Sequence, residues 1–154
     1  MDFDYTLVTD WPGHQPRQRY LPWINIGIRN PGNSETIYPL GLVDSGAELT
    51  IVDREIGEEL GFDFKKAKET TLTGFGGGKV PVLILEAEYE IADKTGKKPI
   101  VYRDLIGFTK QSFTQTHPQQ TAIFGTIGLF RNVEVNFRYH SNIHIDRLTV
   151  KDIR

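Results

Sequence analysis

The sequence predicts an all-β fold with one or two short helices. Several segments alternate apolar and polar residues, as in residues 20–29, where isoleucines at every second position would face one side of a strand. Clusters of Gly, Pro, Asn and Ser separate these segments, and the densest cluster covers residues 30–34. Only residues 54–60 place apolar side chains at the spacing of a helix with a stop signal behind them. Strands joined by tight turns therefore account for most of the chain.

The predicted strands share a composition rich in Val, Ile, Leu and Thr. In chain order they cover residues 20–29, 36–43, 50–52, 70–73, 80–91, 100–107, 121–124, 133–137 and 143–150. Asp53 is the predicted N-cap of the helix at 54–60, and Gly61 is its stop signal. Residues 125–130 are predicted to form a helical turn, and the polar residues 110–120 an exposed loop.

The 154 residues fit a single domain. A chain of this length buries roughly two-thirds of its unfolded surface when it folds, which is enough for a real core. The first residues are mostly polar and include Pro12, Gly13 and Pro16. We therefore expect residues 1–19 to form an N-terminal arm and residues 20–154 to form the domain.

Composition argues against several classes of function. The net charge of −2, with only short lysine runs at 65–68 and 94–98, gives no reason to expect a nucleic-acid partner. Without cysteine there is no disulfide, thiol nucleophile or cysteine metal site. No apolar stretch approaches the ~20 residues of a membrane-spanning helix, so we expect no membrane association. The acidic start lacks the pattern of a signal peptide, and a cytoplasmic location is the default expectation.

The most informative motif is Asp44-Ser45-Gly46-Ala47, which lies between the apolar runs 40–43 and 49–52. A carboxylate between two buried strands is costly unless it has a partner or a function. An aspartic peptidase needs an Asp held in this way at the floor of a cleft, followed by small residues that let a second loop pack against it. The chain has one such tripeptide, which supplies half of a catalytic pair. The sequence therefore suggests that two chains meet at Asp44.

A purely structural explanation of the same motif stays open. A tripeptide of this type arises by chance in roughly one chain in ten to twenty of this size. Asp44 could simply accept a hydrogen bond from its own loop in an Asx-type turn. Against that explanation, an ordinary hairpin turn would favour Asn-Gly or Asp-Gly over Asp-Ser-Gly-Ala.

The second informative segment is a glycine-rich turn between two predicted strands, made of Gly74, Phe75, Gly76, Gly77 and Gly78. Its glycines permit movement and a close approach of the backbone to a ligand, which is typical of a flap. A phosphate-binding loop does not fit, since the G-x-x-x-x-G-K-[ST] motif is missing and a strand follows instead of a helix. A flexible surface hairpin without a function is the alternative interpretation.

Together with residues 121–130, these two motifs resemble the retropepsin family of single-lobed aspartic peptidases. The resemblance runs from about residue 20 to about residue 137. Leu42-Val43-Asp44-Ser45-Gly46-Ala47 resembles the catalytic loop of the family and 74–78 the tip of its flap. Ile123-Phe124-Gly125 resembles the apolar-apolar-Gly element that precedes the C-terminal helix. Taken alone, residues 121–130 would be interpreted as core.

The resemblance implies a closed β-barrel with a flap hairpin, assembled as a homodimer around two Asp44 loops. It implies an aspartic endopeptidase in which a water activated between the two carboxylates hydrolyses a peptide or protein substrate, without a cofactor or metal. Asp44 would be catalytic, Ser45 would fix the two loops against each other, and Gly46 would let the substrate backbone approach. Ala47 would line the adjacent pocket, and residues 74–78 would form the flap over the substrate.

The chain departs from the family pattern directly after Gly125, where Arg and then Asp or Asn are usual. Thr126 and Ile127 stand there instead. In the family this Arg helps to brace the dimer around the active site. Its absence leaves open a second function, a dimerisation or peptide-binding module of the same fold with weak or no hydrolysis. A plain β-barrel interaction domain, monomeric and indifferent to changes at Asp44, is a third alternative.

Other groupings of reactive side chains are weaker. His140, His144 and Asp146 share strand parity and could face one side to hold a divalent metal. Exposed histidines on a polar strand face are common, so we predict no metal. A nucleophilic serine is not indicated either, since the chain lacks G-x-S-x-G and a Ser-His-Asp grouping.

Overall fold

The computed structural model describes residues 1–8, 19–74, 77–111, 120–139 and 141–148 of the chain. Within these residues the helices are α1 (Arg54–Glu59) and a short 3-10 helix (Phe64–Lys66), and neither is long and apolar enough to cross a membrane. The strands are β1 (Asp2–Phe3), β2 (Thr6–Val8), β3 (Arg19–Leu21), β4 (Trp23–Asn25), β5 (Gly27–Arg29), β6 (Leu40–Val43), β7 (Ile51–Val52), β8 (Lys68–Thr73), β9 (Lys79–Ile91), β10 (Ile100–Thr109), β11 (Ala122–Phe124), β12 (Val133–Arg138) and β13 (Asn142–Arg147). The predicted class, mostly β with little helix, is confirmed.

Eight strands form the central sheet. Seven of them lie in the order β4-β6-β11-β7-β10-β9-β5, and β8 pairs with β9 beside that path. The longest ladder joins β9 and β10, which run antiparallel from Ile91 opposite Ile100 to Val82 opposite Thr109. Two pairings are parallel, β6 with β11 and β7 with β10. A three-stranded sheet, β1-β13-β12, and the pair β2-β3 complete the described strands.

The central sheet is open, so the predicted closed barrel is wrong. The two end strands, β4 and β5, are consecutive in the chain: β4 pairs with β6, and β5 pairs with β9. Ile26 separates them and belongs to neither ladder. Among the described residues no ladder joins the two ends of the sheet. The strand that would have closed the barrel is therefore interrupted at this residue.

The predicted strand at residues 20–29 is divided into β3, β4 and β5. Pro22 lies between β3 and β4 and has no N–H to donate to a ladder. Its carbonyl accepts a hydrogen bond from Val43 N at 2.9 Å instead. The side-chain pattern is nevertheless as predicted, because Ile24, Ile26 and Ile28 are all buried.

Helix α1 begins where the sequence predicts and ends at Glu59, one residue before the predicted end. The Asp53 carboxylate accepts a hydrogen bond from Glu55 N at 3.1 Å, which confirms the N-cap. Gly61 follows the helix with a φ of +69°, a conformation that favours glycine. Gly57 faces β10 so closely that a Cβ there would lie 2.7 Å from the Phe108 ring. The helix therefore packs directly on the central sheet.

Two hydrophobic clusters lie on opposite faces of the sheet, since neighbouring residues of β7, β9 and β11 belong to different clusters. The main core contains the large buried side chains of β5, β9, β10 and β11, together with residues of β12 and β13. The second cluster, which we call the cleft cluster, is smaller. Its members are buried Leu49, Ile51 and Val82, with partly buried Leu72, Ile84, Ile123 and Ile127.

The first eight residues pack onto the rest of the molecule. β1 pairs with β13, and β2 pairs with β3. Met1 is buried, and its nitrogen donates to Ile145 O at 2.6 Å. Residues 9–18 lie outside the described ranges, so the proposed boundary between arm and domain at residue 19 stays a prediction.

Candidate active site

Strand β6 ends at Val43, so Asp44 is the first residue of the loop that joins β6 to β7. Gly41 and Val43 point into the core, and a Cβ at Gly41 would lie 2.5 Å from the Phe124 ring. This contact shows how closely β11 packs beside β6. At the end of β6, Asp44 N donates to Phe124 O at 3.0 Å, so the backbone of Asp44 is held by β11.

The loop closes on itself directly after Asp44. Ala47 N donates to Asp44 O at 3.2 Å, and Gly46 N donates to the Asp44 carboxylate oxygen Oδ1 at 2.8 Å. The second bond is the Asx-type contact expected from the purely structural explanation of the motif. It uses one carboxylate oxygen. In the described part of the chain neither a hydrogen bond to Oδ2 nor an ion pair to Asp44 is found.

Asp44 is partly buried, whereas Ser45 and Gly46 at the tip of the loop are exposed. A Cβ at Gly46 would lie 3.2 Å from Asp44 Oδ1, a tight contact with the carboxylate itself. A small residue at this position therefore keeps the carboxylate accessible.

β11 lies between the two strands that flank the loop. It runs parallel to β6, with Phe124 opposite Val43, and antiparallel to β7, with Ile123 opposite Ile51. β6 and β7 consequently do not pair with each other, and the Asp44 loop crosses the end of β11. The loop is therefore supported by a strand that is distant in sequence.

The turn at residues 125–132, which follows β11, holds the Asp44 loop by backbone hydrogen bonds. Thr126 N donates to Ala47 O at 2.8 Å, Ile127 N donates to Glu48 O at 2.9 Å, and Thr50 N donates to Ile127 O at 2.7 Å. Gly125 N also donates to the Thr50 hydroxyl at 3.0 Å. The backbone of the loop is thus tied to the turn at Ala47, Glu48 and Thr50, whereas Asp44 at its start is tied to β11. The predicted helical turn at 125–130 is a series of hydrogen-bonded turns that is not assigned as helix.

A buried carboxylate under this turn was missed by sequence reasoning. Asp104 on β10 accepts hydrogen bonds from Gly128 N at 2.9 Å, Arg131 Nε at 2.6 Å and Asn132 Nδ2 at 2.6 Å. The signal was present, because Asp104 shares strand parity with the buried Ile106. A charged residue at a core position requires partners. The identity of those partners could not be read from sequence.

Two stacked tyrosines lie beside the same turn. The rings of Tyr89 and Tyr102 are 5.3 Å apart and nearly parallel. Tyr102 donates to Gly128 O at 2.9 Å, and Tyr89 donates to Leu105 O at 2.8 Å. Burial raises the pKa of both phenols, that of Tyr89 well above its ordinary value. Both therefore stay neutral hydrogen-bond donors at any physiological pH.

The glycine-rich segment forms a hairpin between β8 and β9, as predicted. The last ladder pair is Thr73 opposite Lys79. Gly74 N donates to Gly78 O at 2.7 Å, and Gly77, with a φ of +83°, donates to Gly74 O at 3.1 Å. Phe75 and Gly76 lie outside the described residues, and the flap role of the hairpin stays a prediction.

The cleft cluster connects the hairpin to the Asp44 loop. Leu72 belongs to β8, Val82 and Ile84 belong to β9, and Leu49 lies in the segment that returns from the loop to β7. An isolated bridge pairs Leu49 with Ile127 in the supporting turn. The cluster, in part buried and in part exposed, therefore joins the hairpin strands to the segment that follows the Asp44 loop.

Of the histidine grouping, the described residues include His144 and Asp146. His144 Nδ1 lies 2.9 Å from Asp2 Oδ1, and its Nε2 lies 3.4 Å from Asp146 Oδ2. His140 lies outside the described ranges. No cluster of three potential metal ligands is found in the described part of the chain.

A cavity of about 500 Å³ lies away from the Asp44 loop. It is bordered by the N-terminal residues 2–6, by β4 and by residues 92–95. No residue of the Asp44 loop or of the hairpin is among those that line it. This cavity is therefore separate from the candidate site at Asp44.

The fold is similar to that of known retropepsin-like structures. A retropepsin-like aspartic protease from Rickettsia conorii matches with a TM-score of 0.50 and 18% sequence identity, over 80% of this chain and 87% of that one. The retroviral protease-like domain of Ddi1 from Leishmania major matches with a TM-score of 0.44 and 13% identity, over 81% and 93%. No protein-family model and no curated protein sequence matches the chain. The retropepsin-like fold that the motifs suggested is therefore confirmed at the level of structure.

Proposed function

We propose that the protein is an aspartic endopeptidase whose active site forms between two copies of the chain. The observation that carries the proposal is the geometry of Asp44. Its backbone is fixed by β11, its Oδ2 accepts no hydrogen bond from the described residues, and the loop tip beside it is exposed. The similarity of the fold to the Rickettsia conorii protease supports this interpretation.

The homodimer follows from the number of carboxylates that the chemistry requires. Peptide hydrolysis of this type needs two carboxylates at one site, and the chain supplies one Asp-Ser-Gly loop. A twofold axis through two Asp44 loops provides the second, because a twofold interface places the same residue on both sides. Ser45 at the exposed tip then contacts the partner loop, and its hydroxyl bonds across the axis.

The two carboxylates share one proton, since two negative charges a hydrogen bond apart are costly. The ionised carboxylate removes a proton from a bound water, and the water oxygen attacks the carbon of the scissile carbonyl. The protonated carboxylate gives its proton to the carbonyl oxygen, which yields a tetrahedral diol. The diol then returns a hydroxyl proton to the newly ionised carboxylate, and the other carboxylate protonates the nitrogen. The C–N bond breaks, and the pair regains its original single proton.

The hairpin and the cleft cluster bind the substrate. The glycine-rich tip around Gly77 closes over the peptide through backbone hydrogen bonds and excludes water from the carboxylates. Gly46 lets the substrate backbone approach, and Ala47 lines the adjacent pocket. The cleft cluster contains side chains of both hairpin strands and of the segment after the loop, so we propose that the substrate side chains on either side of the cleaved bond are apolar. Neither a metal nor a cofactor takes part. A cytoplasmic location stays a prediction from the sequence.

The direct test is cleavage of a diverse peptide mixture over about pH 3 to 8, read by mass spectrometry. The wild-type protein should produce fragments, with the highest rates at acidic to mildly acidic pH. Asp44→Asn should produce none while it keeps the dimer, measured by analytical ultracentrifugation. Glu48→Gln is the matched control, because Glu48 is an exposed carboxylate in the same loop. Retained cleavage by Asp44→Asn would exclude the assignment.

Mixing the two proteins tests whether the site is shared. Only wild-type dimers carry two carboxylates, so an equal mixture that exchanges subunits should show about a quarter of the full activity, not half. A linear decrease would show that each chain acts alone. If folded, dimeric wild-type protein cleaves no peptide at any pH but binds peptides, the module without hydrolysis is the better description.

A further inference from the structure

Asp104 is a buried carboxylate outside the Asp44 loop. It lies on β10 between the inward-facing Tyr102 and Ile106, and its side chain is 2% exposed. Its one cationic partner among the described residues is Arg131, whose own side chain is 48% exposed. A buried charge is retained only where its contacts compensate for the loss of water.

Every group that contacts the Asp104 carboxylate is a hydrogen-bond donor. Oδ1 accepts from Leu105 N at 2.7 Å and from Arg131 Nη2. Oδ2 accepts from Gly128 N, Arg131 Nε and Asn132 Nδ2 at 2.6–2.9 Å. An uncharged amide of the same shape would place its NH₂ group against at least two donors, whichever way it turned. The site therefore requires a carboxylate specifically.

Three of these four partners lie in one turn. Gly128, Arg131 and Asn132 all belong to the segment at 125–132, which has little regular structure of its own. Gly128 has a φ of +102°, and a Cβ there would collide with Thr50 and Tyr89. Asp104 thus fixes the conformation of the turn from the side of β10.

The same turn is what holds the Asp44 loop. The Thr126 and Ile127 amides donate to Ala47 and Glu48, and Thr50 donates back to Ile127. A path of hydrogen bonds therefore leads from Asp104 through the turn to the second half of the loop, at Ala47, Glu48 and Thr50. Asp104 itself makes no contact with Asp44.

We propose that Asp104 and Arg131 are positioning residues for Asp44. Their hydrogen bonds fix the position and orientation of the turn at 125–132 relative to β10. This turn fixes the loop that carries the Asp44 carboxylate. The sequence has no Arg directly after Gly125. Arg131, further along the same turn, pairs with Asp104, and we call this ion pair the brace. The kinetic part of this inference rests on the proposed peptidase function, whereas the structural part does not.

The experiment compares Asp104→Asn, Arg131→Gln and Arg131→Lys with wild-type protein. Glu90→Gln is the matched control, because Glu90 is a partly buried carboxylate that bonds Arg29 and Tyr38 away from the turn. Amide hydrogen exchange at Thr50, Thr126 and Ile127 reports the turn directly. Peptide cleavage supplies kcat and KM, and circular dichroism at a fixed protein concentration confirms folding.

Asp104→Asn should speed exchange at these amides by about tenfold or more. It should lower kcat by about tenfold while KM changes less than about twofold, because a displaced carboxylate impairs the chemical step more than binding. Arg131→Gln should have a smaller effect in the same direction, and Arg131→Lys should restore part of kcat. Glu90→Gln should leave both measurements at the wild-type level.

Folded Arg131→Gln and Asp104→Asn with wild-type exchange at all three amides would overturn the inference. If Asp104→Asn does not fold, Arg131→Gln decides the question, since half of the Arg131 side chain is already exposed. Faster exchange together with no peptidase activity in the wild-type protein would uphold the brace and reject the proposed reaction. Faster exchange with unchanged kcat would show that the brace does not reach Asp44.

Discussion

Replacing Gly125 by Ala tests how tightly the Asp44 loop is packed on its support. A Cβ at this position would lie 2.8 Å from Ala47 O and from both the carbonyl carbon and oxygen of Leu49. All three atoms are backbone, so no side chain can rotate away. Moving them from 2.8 Å to the 3.4 Å of ordinary van der Waals contact requires a displacement of about 0.6 Å in the loop.

This displacement has two costs. Overpacking of a dense interior costs about 1–3 kcal/mol. The same movement stretches the 2.8 Å bond from Thr126 N to Ala47 O, which adds about 1 kcal/mol. The free energy of unfolding should therefore fall by about 2–4 kcal/mol. For a domain of this size that corresponds to a decrease in Tm of roughly 4–16 °C.

Calorimetry at a fixed protein concentration measures the effect, since the Tm of the proposed dimer would depend on concentration. Gly78→Ala is the control, because a Cβ at Gly78 meets nothing within 4 Å. It should change the free energy of unfolding by less than about 1 kcal/mol. A Tm for Gly125→Ala within about 2 °C of wild type would refute the steric reasoning.

Three further changes probe the cap, the core and the N-terminal strand. Asp53→Ala should lower the free energy of unfolding by about 1–2 kcal/mol in denaturant titrations, because α1 loses the carboxylate that accepts Glu55 N–H. Burial raises the pKa of Tyr89 well above 10.0, so the unfolded chain releases this proton first and stability should fall above about pH 10. Tyr89→Phe should reduce that fall in thermal scans. A hydrogen bond from His144 lowers the pKa of Asp2, so its contribution should be lost as the pH falls below about 4. Exchange of the Ile145 amide, which bonds Met1 O, should then accelerate relative to its intrinsic rate.

Each of these has a result that would contradict it. An unchanged midpoint for Asp53→Ala would mean that the cap contributes nothing. Equal alkaline slopes for wild type and Tyr89→Phe would mean that Tyr89 does not stay protonated in the folded state. For Asp2, the control is Asp2→Asn, which should remove the dependence on acid; a persistent dependence would assign it to another group.

Local sequence patterns predicted the features that contiguous residues encode. The N-cap at Asp53 and the hairpin around Gly77 depend on a few neighbouring residues, and both are found where expected. The loop at Asp44 also lies between the two predicted strands. Its catalytic role stays a prediction.

Features that depend on contacts between distant residues could not be predicted from the sequence. Nothing near Asp44 indicates that β11 separates β6 from β7, since that arrangement is set by pairings across the whole sheet. The parity of Asp104 on β10 could have marked it as a buried carboxylate, but its pairing with Arg131 arises only when the turn folds under the loop. The prediction of a closed barrel was wrong for the same reason. The predicted strand at 20–29 is interrupted at Ile26, because β4 before it pairs with β6 and β5 after it pairs with β9.

The position of β11 also determines when the site can form during synthesis. The Asp44 N–H donates its backbone hydrogen bond to the carbonyl of Phe124, about eighty residues later in the chain. Contacts of this sequence separation form late, because the loop-closure entropy must be overcome before they contribute. A nascent chain released only to the end of β10 lacks the strand that fixes the carboxylate. The proposed site would therefore form only after β11 has been synthesised and a second copy has bound.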